Sequence, residues 1–227
     1  MSINAVDIIG ALTYRTAAAL NTPLRGNVDT EFQKNVGIYK FYKSLFNDKN
    51  KMHLWHYPGT QQEIQETWGK INKDQYASLK KFPAILNFQG IDQERGRYPG
   101  MTRLIYNLSI VAPVDSNWTT QQRNDTVFEV VLRPIYTEFI RQIKKCGWFQ
   151  IGFNGIPHNY KEVFTTGANF TGAIRMQYGD YIDAIQLTEL KLDAKIEQCV
   201  RDSETINKES RQVTDALIDI LQTIKNN

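Results

Sequence analysis

The chain has 227 residues and a formal net charge of +3, long enough to bury a core without metals or disulfides and too weakly basic to claim a nucleic-acid partner from composition. Cys146 and Cys199 are its only cysteines and form no spaced pair, which argues against a disulfide framework or a zinc site and for a reducing compartment. The opening MSINAVDIIG lacks the basic start and apolar run of a signal peptide, and no run reaches membrane-spanning length, so a soluble product of intracellular origin is expected.

Residues 3–20 read as a helix, with Ile3, Val6, Ile9 and Leu12 on neighbouring positions and Asn21, Thr22 and Pro23 ending it. A second helix can start at Asp29 or Thr30 and carry Phe32, Val36, Tyr39, Tyr42 and Phe46, although Gly37 weakens it. Met52–Tyr57 is a short aromatic extended piece, followed by Pro58 and Gly59. Thr60 and Glu63 then form a capping box for a helix bearing Ile64, Trp68 and Ile71.

Phe82–Gln89 reads as a strand with Phe82, Ala84, Leu86 and Phe88 on one face. Gly90–Thr102, rich in glycine and charge, is expected as a long polar hairpin loop. Arg103–Val111 alternates with period two, the mark of a half-buried strand. A second capping box, Thr119 with Gln122, opens the long helix. Val127, Val131, Ile135, Phe139 and Ile143 form one apolar row and Phe128, Leu132, Tyr136 and Ile140 the next, a stripe wide enough to lie on a sheet. Glu129, Arg133, Thr137, Arg141 and Lys145 run opposite, and Pro134 is expected to kink the helix.

Beyond it, Phe149, Ile151 and Phe153 alternate up to an Asn154-Gly155 turn signal. Phe170–Tyr178 alternates too, and Gly179-Asp180 can turn into a strand over Tyr181–Ile196. That strand changes phase at Thr188–Glu189, as a β-bulge does, or as burial of different faces by different neighbours would. In the tail, Ile196, Cys199, Ser203, Ile206, Ser210, Val213, Leu217, Ile220 and Ile224 keep a heptad spacing. Such a narrow stripe packs either on its own domain or on another subunit.

Chemistry-bearing patterns are sparse. His53 and His56 stand as H-x-x-H, with neither a cysteine nor a paired carboxylate nearby in sequence to complete a metal set. Asp180 and Asp183 read as turn residues rather than an acid–base pair. Cys146 follows a helix C-terminus, whose dipole disfavours a thiolate. Arg95, Arg97, Tyr98 and Arg103 make a basic-aromatic cluster, either a solvated loop balanced by Asp92 and Glu94 or a contact with a phosphate backbone or a neighbouring subunit. No catalytic residue, cofactor or metal site is assigned.

The segments FPAILNFQG, RLIYNLSIVAP, NDTVFEVVLRPIYTEFIRQIKK and NFTGAIRMQYGDYIDAIQLTELKLDAKI, in that order after an N-terminal helix, resemble the tail-terminator and tail-completion proteins of tailed bacteriophages. The resemblance covers about residues 1–20 and 82–196. It implies an α+β fold, a mixed or antiparallel sheet packed by the long amphipathic helix and the N-terminal helix. It also implies a virion structural protein assembled in the host cytoplasm. Such a homo-oligomeric ring in the neck joins tail to head beside portal-side or tail-tube proteins, and DNA passes through it. Residues 1–196 would then form the core, with a helical insertion at about 21–81 that the family lacks, and 197–227 an added helix. Arg95, Arg97 and Tyr98 are the expected subunit contacts, and Val213, Leu217, Ile220 and Ile224 the expected partner-facing seam. The competing readings are a nucleic-acid-binding protein using loop 90–102 and an enzyme without recognisable motifs.

Overall fold

The computed structural model describes residues 4–20, 53–71, 81–88, 91–115, 117–164 and 181–225. The expected second helix over 29–46, the strand over 170–178 and the turn at Gly179-Asp180 lie outside them. The fold is α+β, built on a mixed seven-stranded sheet. Its strands are β1 (Trp55–Gly59), β2 (Ala84–Phe88), β3 (Asp92–Tyr98), β4 (Met101–Pro113), β5 (Phe149–Gln150), β6 (Asn159–Val163) and β7 (Ile182–Lys195). β1 runs parallel to β2; every other pairing is antiparallel.

β4 and β7 pair along nearly their whole lengths, from Met101↔Lys195 to Pro113↔Ile182. β2 and β3 lie end to end along the other edge of β4. The described part of the expected loop is therefore not a loop. Asp92–Tyr98 is the far arm of one long hairpin, whose turn is Pro99–Gly100 between the paired Tyr98 and Met101. Proline's fixed φ suits the first turn position, and Gly100, at φ 73°, supplies the left-handed conformation at the second. The bulge expected at Thr188–Glu189 is present. The register slips opposite Asn107, Glu189 takes φ 53°, and its N–H donates to Asn107 Oδ1 at 3.1 Å.

Among the described residues the helices are α1 (Ala5–Leu20), α2 (Gln61–Ile71), α3 (Thr120–Arg123), α4 (Arg133–Lys145), α5 (Ile196–Arg201) and α6 (Ser203–Lys225). Both capping boxes close reciprocally: Glu63 N–H donates to Thr60 Oγ1 and Thr60 N–H to Glu63 Oε2, and Thr119 and Gln122 do the same before α3. Between α3 and α4 the backbone winds as a π-helix over Asn124–Leu132. Pro134 falls in the first turn of α4, where its missing N–H and fixed φ are tolerated. The expected kink is thus a change of winding, with Arg133 N–H reaching back to Phe128 O. The first apolar row survives it: Val127, Val131, Ile135, Phe139 and Ile143 are all buried.

α1 is buried on nearly every side through Ile8–Thr13 because it lies between the sheet, α4 and α6. A Cβ built on Gly10 would overlap Ser210 Oγ and lie 2.9 Å from Ser210 Cβ, so glycine is what allows α1 and α6 to cross this closely. Arg15 adds an ion pair to Glu209 at 2.7 Å and stacks over the buried Trp148 ring, whose Nε1 donates to Asp202. The first half of the heptad stripe therefore packs on its own chain: Cys199, Ile206, Ser210 and Val213 are buried. Hypothesis: deleting everything after Ile196 abolishes the cooperative thermal transition, because it strips one whole side of α1. A fragment melting in circular dichroism at the full-length midpoint would instead make the C-terminal helix an appendage.

Candidate interaction surface

The half of the sheet towards the Pro99–Gly100 turn has two unlike faces, set by the register. Leu104, Tyr106, Leu190, Leu192 and Ala194 are buried on the helix side. Opposite, Asp92, Ile105 and Lys191 form one cross-strand row, and Glu94, Arg103, Asp193 and Gln150 the next. Met101 and Lys195 finish this outer face. Arg103 grips Asp193 with a bidentate pair at 2.7 and 3.0 Å and lies 3.9 Å from Glu94. Lys191 Nζ is 3.6 Å from Glu189. Three cations thus meet three carboxylates on the strand rows themselves, and Glu189 adds a fourth acid at the rim.

Within the expected basic-aromatic cluster, Arg95 and Arg103 fall on opposite faces of the sheet. Arg95 pairs across from Thr102, on the opposite side of the sheet from Arg103, and donates to Gln93 Oε1 at 2.9 Å. Arg97 and Tyr98 follow Gly96 in β3, and their side chains lie outside the described ones. Val213 is buried against its own chain and is not a partner-facing residue. Leu217, Ile220 and Ile224 lie on the continuing backbone of α6, with side chains outside the described ones.

Residues that the sequence reading placed elsewhere define this surface better. β5 ends at Gln150, so the alternation expected through Phe153 runs past the strand. Phe153 sits fully exposed, at 107% of its reference area, on the turn closed by Gly155 N–H to Gly152 O at 3.0 Å. The Asn154-Gly155 pair next to it was the available signal. Beside this turn lies a cleft of about 270 Å³ against Arg103, Lys191 and Asp193. Further along, β6 is tied to the helix layer by polar side chains. Arg133 holds Glu162 at 2.7 and 2.9 Å and also pairs with Glu129. Donation from Arg133 keeps the Glu162 carboxyl below the usual carboxylate range. The Tyr136 hydroxyl meets His158 Nε2 at 3.0 Å, while His158 Nδ1 must donate to Ile156 O, since a carbonyl can only accept.

The chemistry-bearing candidates disperse. His53 is exposed and stacked on Trp55, whereas His56 is buried. Among the described residues no group of His, Cys, Asp and Glu is arranged to hold a metal, and no helix is long and apolar enough to cross a membrane. Burial pushes the Cys146 thiol up to about 11 and the Cys199 thiol up to about 12. Asp180 lies outside the described residues. Asp183, expected in a turn, is wholly buried inside β7 and forms a bidentate ion pair with the buried Arg123. Hypothesis: Asp183→Ala destabilises by about 3–5 kcal/mol, because a buried guanidinium loses its carboxylate. Urea denaturation reads this directly, and a loss under about 1 kcal/mol would mean that water or other groups compensate.

Fold and surface together define an α+β protein whose mixed sheet carries, among the described residues, a charged outer face. Comparison with protein-family models, curated proteins and solved structures returns no match.

Proposed function

We propose that the chain is a ring-forming structural subunit of a tailed-phage neck or tail, of the terminator or head-to-tail connector kind, through whose ring DNA passes. The resemblance in element order supports this reading. The observation that carries it is β3: among the described residues it pairs with β4 alone, leaving an exposed strand edge at the end of a long hairpin. Such an edge is completed economically by a neighbour's strand, and a head-to-tail repeat of that contact closes into a ring. A phosphate-binding module needs an excess of cations, whereas the outer face balances Arg103, Lys191 and Lys195 against Asp92, Glu94 and Asp193.

Electron microscopy of the purified chain, alone and with tail-tube or portal-side proteins, tests the reading. Closed rings with a central channel are expected. Particles that stay monomeric under all these conditions would overturn it. Tight DNA binding with a steep salt slope would favour the nucleic-acid reading instead.

A further inference from the structure

We infer that the Phe153 turn and the cleft beside it form a two-fold contact between copies of this chain, each phenyl ring seated in the other's cleft. The inference does not rest on the ring reading, whose contacts are head-to-tail.

Phe153 is the most exposed of the large apolar side chains on the described surface. Nothing in the fold calls for phenylalanine there, since the turn is fixed by the Gly155 N–H to Gly152 O bond and by Gly155 at φ 81°. Burying such a ring on association is favourable, and a fixed turn presents it with little ordering left to do. The cleft is lined by Ile151, Ile156, Pro157, Lys191 and the Arg103–Asp193 pair, with Phe153 of the same copy on its wall, and holds about 270 Å³. A cavity of about 150 Å³ accepts a benzene, so the open cleft has the volume for a phenyl ring.

Knob and hole lie on the same patch. That is the arrangement of an isologous interface, in which residue i meets j while j meets i. A ring contact would place them on opposite sides of the molecule. The charges around the cleft select the occupant. Arg103 is paired with Asp193, and Lys191 lies 3.6 Å from Glu189, within the chain, so the rim offers balanced ion pairs to its own copy. A strongly basic or acidic partner would meet like charges on such a surface.

Sedimentation velocity over a range of concentrations, on the full chain, tests this with Phe153→Asp and Phe153→Trp. The wild type is expected to form pairs. The aspartate should weaken pairing about tenfold or more, while tryptophan retains it. Thermal melts of both variants should match the wild type, because residue 153 touches no core. A wild type that stays monomeric, pairing unchanged by Phe153→Asp, or protection of Phe153 only when another protein is added would each overturn the inference. Rings that form equally in wild type and Phe153→Asp, with no pairs, would refute this contact and leave the ring reading standing. Pairs lost in Phe153→Asp without rings at any concentration would do the reverse.

Discussion

Ile135→Asp is expected to leave a chain with no cooperative thermal transition. Ile135 has no exposed surface and lies in α4 in the buried row between Val131 and Phe139. Removing its side chain forfeits about 2–5 kcal/mol of burial and packing. The incoming carboxyl must then be buried neutral or drag water into the core, which adds several more. The total, about 5 kcal/mol or more, rivals the whole stability of a typical domain. Thr137→Asp, two residues on and exposed, is the control, expected within about 0.5 kcal/mol of wild type. Circular dichroism melts of the three proteins suffice. A soluble Ile135→Asp melting like wild type would show that the buried face of α4 is wrongly assigned.

Acid is the second lever, and it acts through His56. This imidazole is buried in β1 with neither ring nitrogen hydrogen-bonded, and burial lowers its pKa to about 3. In the unfolded chain histidine titrates near 6.5 (about its ordinary value). Between these values the unfolded state binds the extra proton, so stability falls as pH drops below about 6.5, by up to about 1.4 kcal/mol per pH unit. By pH 3 the loss from this one group is about 5 kcal/mol; above pH 7 it contributes no pH dependence. His56→Leu should remove that slope and also stabilise at neutral pH, since two unsatisfied ring nitrogens leave the interior. Urea denaturation of both proteins from pH 4 to 8 gives a difference curve in which other titrating groups cancel. A flat difference would mean that His56 reaches water in the native state.

Local and periodic signals carried much of the fold. The capping boxes at Thr60 and Thr119 are reciprocal hydrogen bonds within four residues, so the sequence holds both partners. The change of phase at Glu189 was legible in the spacing, and the register slip opposite Asn107 shows that an inserted residue makes it. β3 was not legible: an edge strand with solvent on most sides carries no apolar alternation, and its glycines and charges imitate a loop. The heptad stripe said that the tail helix wants a partner, and spacing alone does not distinguish a neighbour's surface from α1 of the same chain. The Arg123–Asp183 pair spans 60 residues of sequence, beyond any local pattern. The surface around Phe153 was missed for the opposite reason, because a short alternation ran past the end of β5 at Gln150 into a turn.

β4 and β7 run side by side for 13 and 14 residues, about 45 Å at the usual strand rise. Tension applied to the Pro99–Gly100 tip along that direction is shared by every rung of the β4–β7 ladder at once, because sliding one strand past the other breaks them together. A pull across the strands would open the same rungs one after another. The molecule is accordingly stiff along one axis and weak across it, a mechanical grain that fixes the direction in which a tether or neighbour can load it.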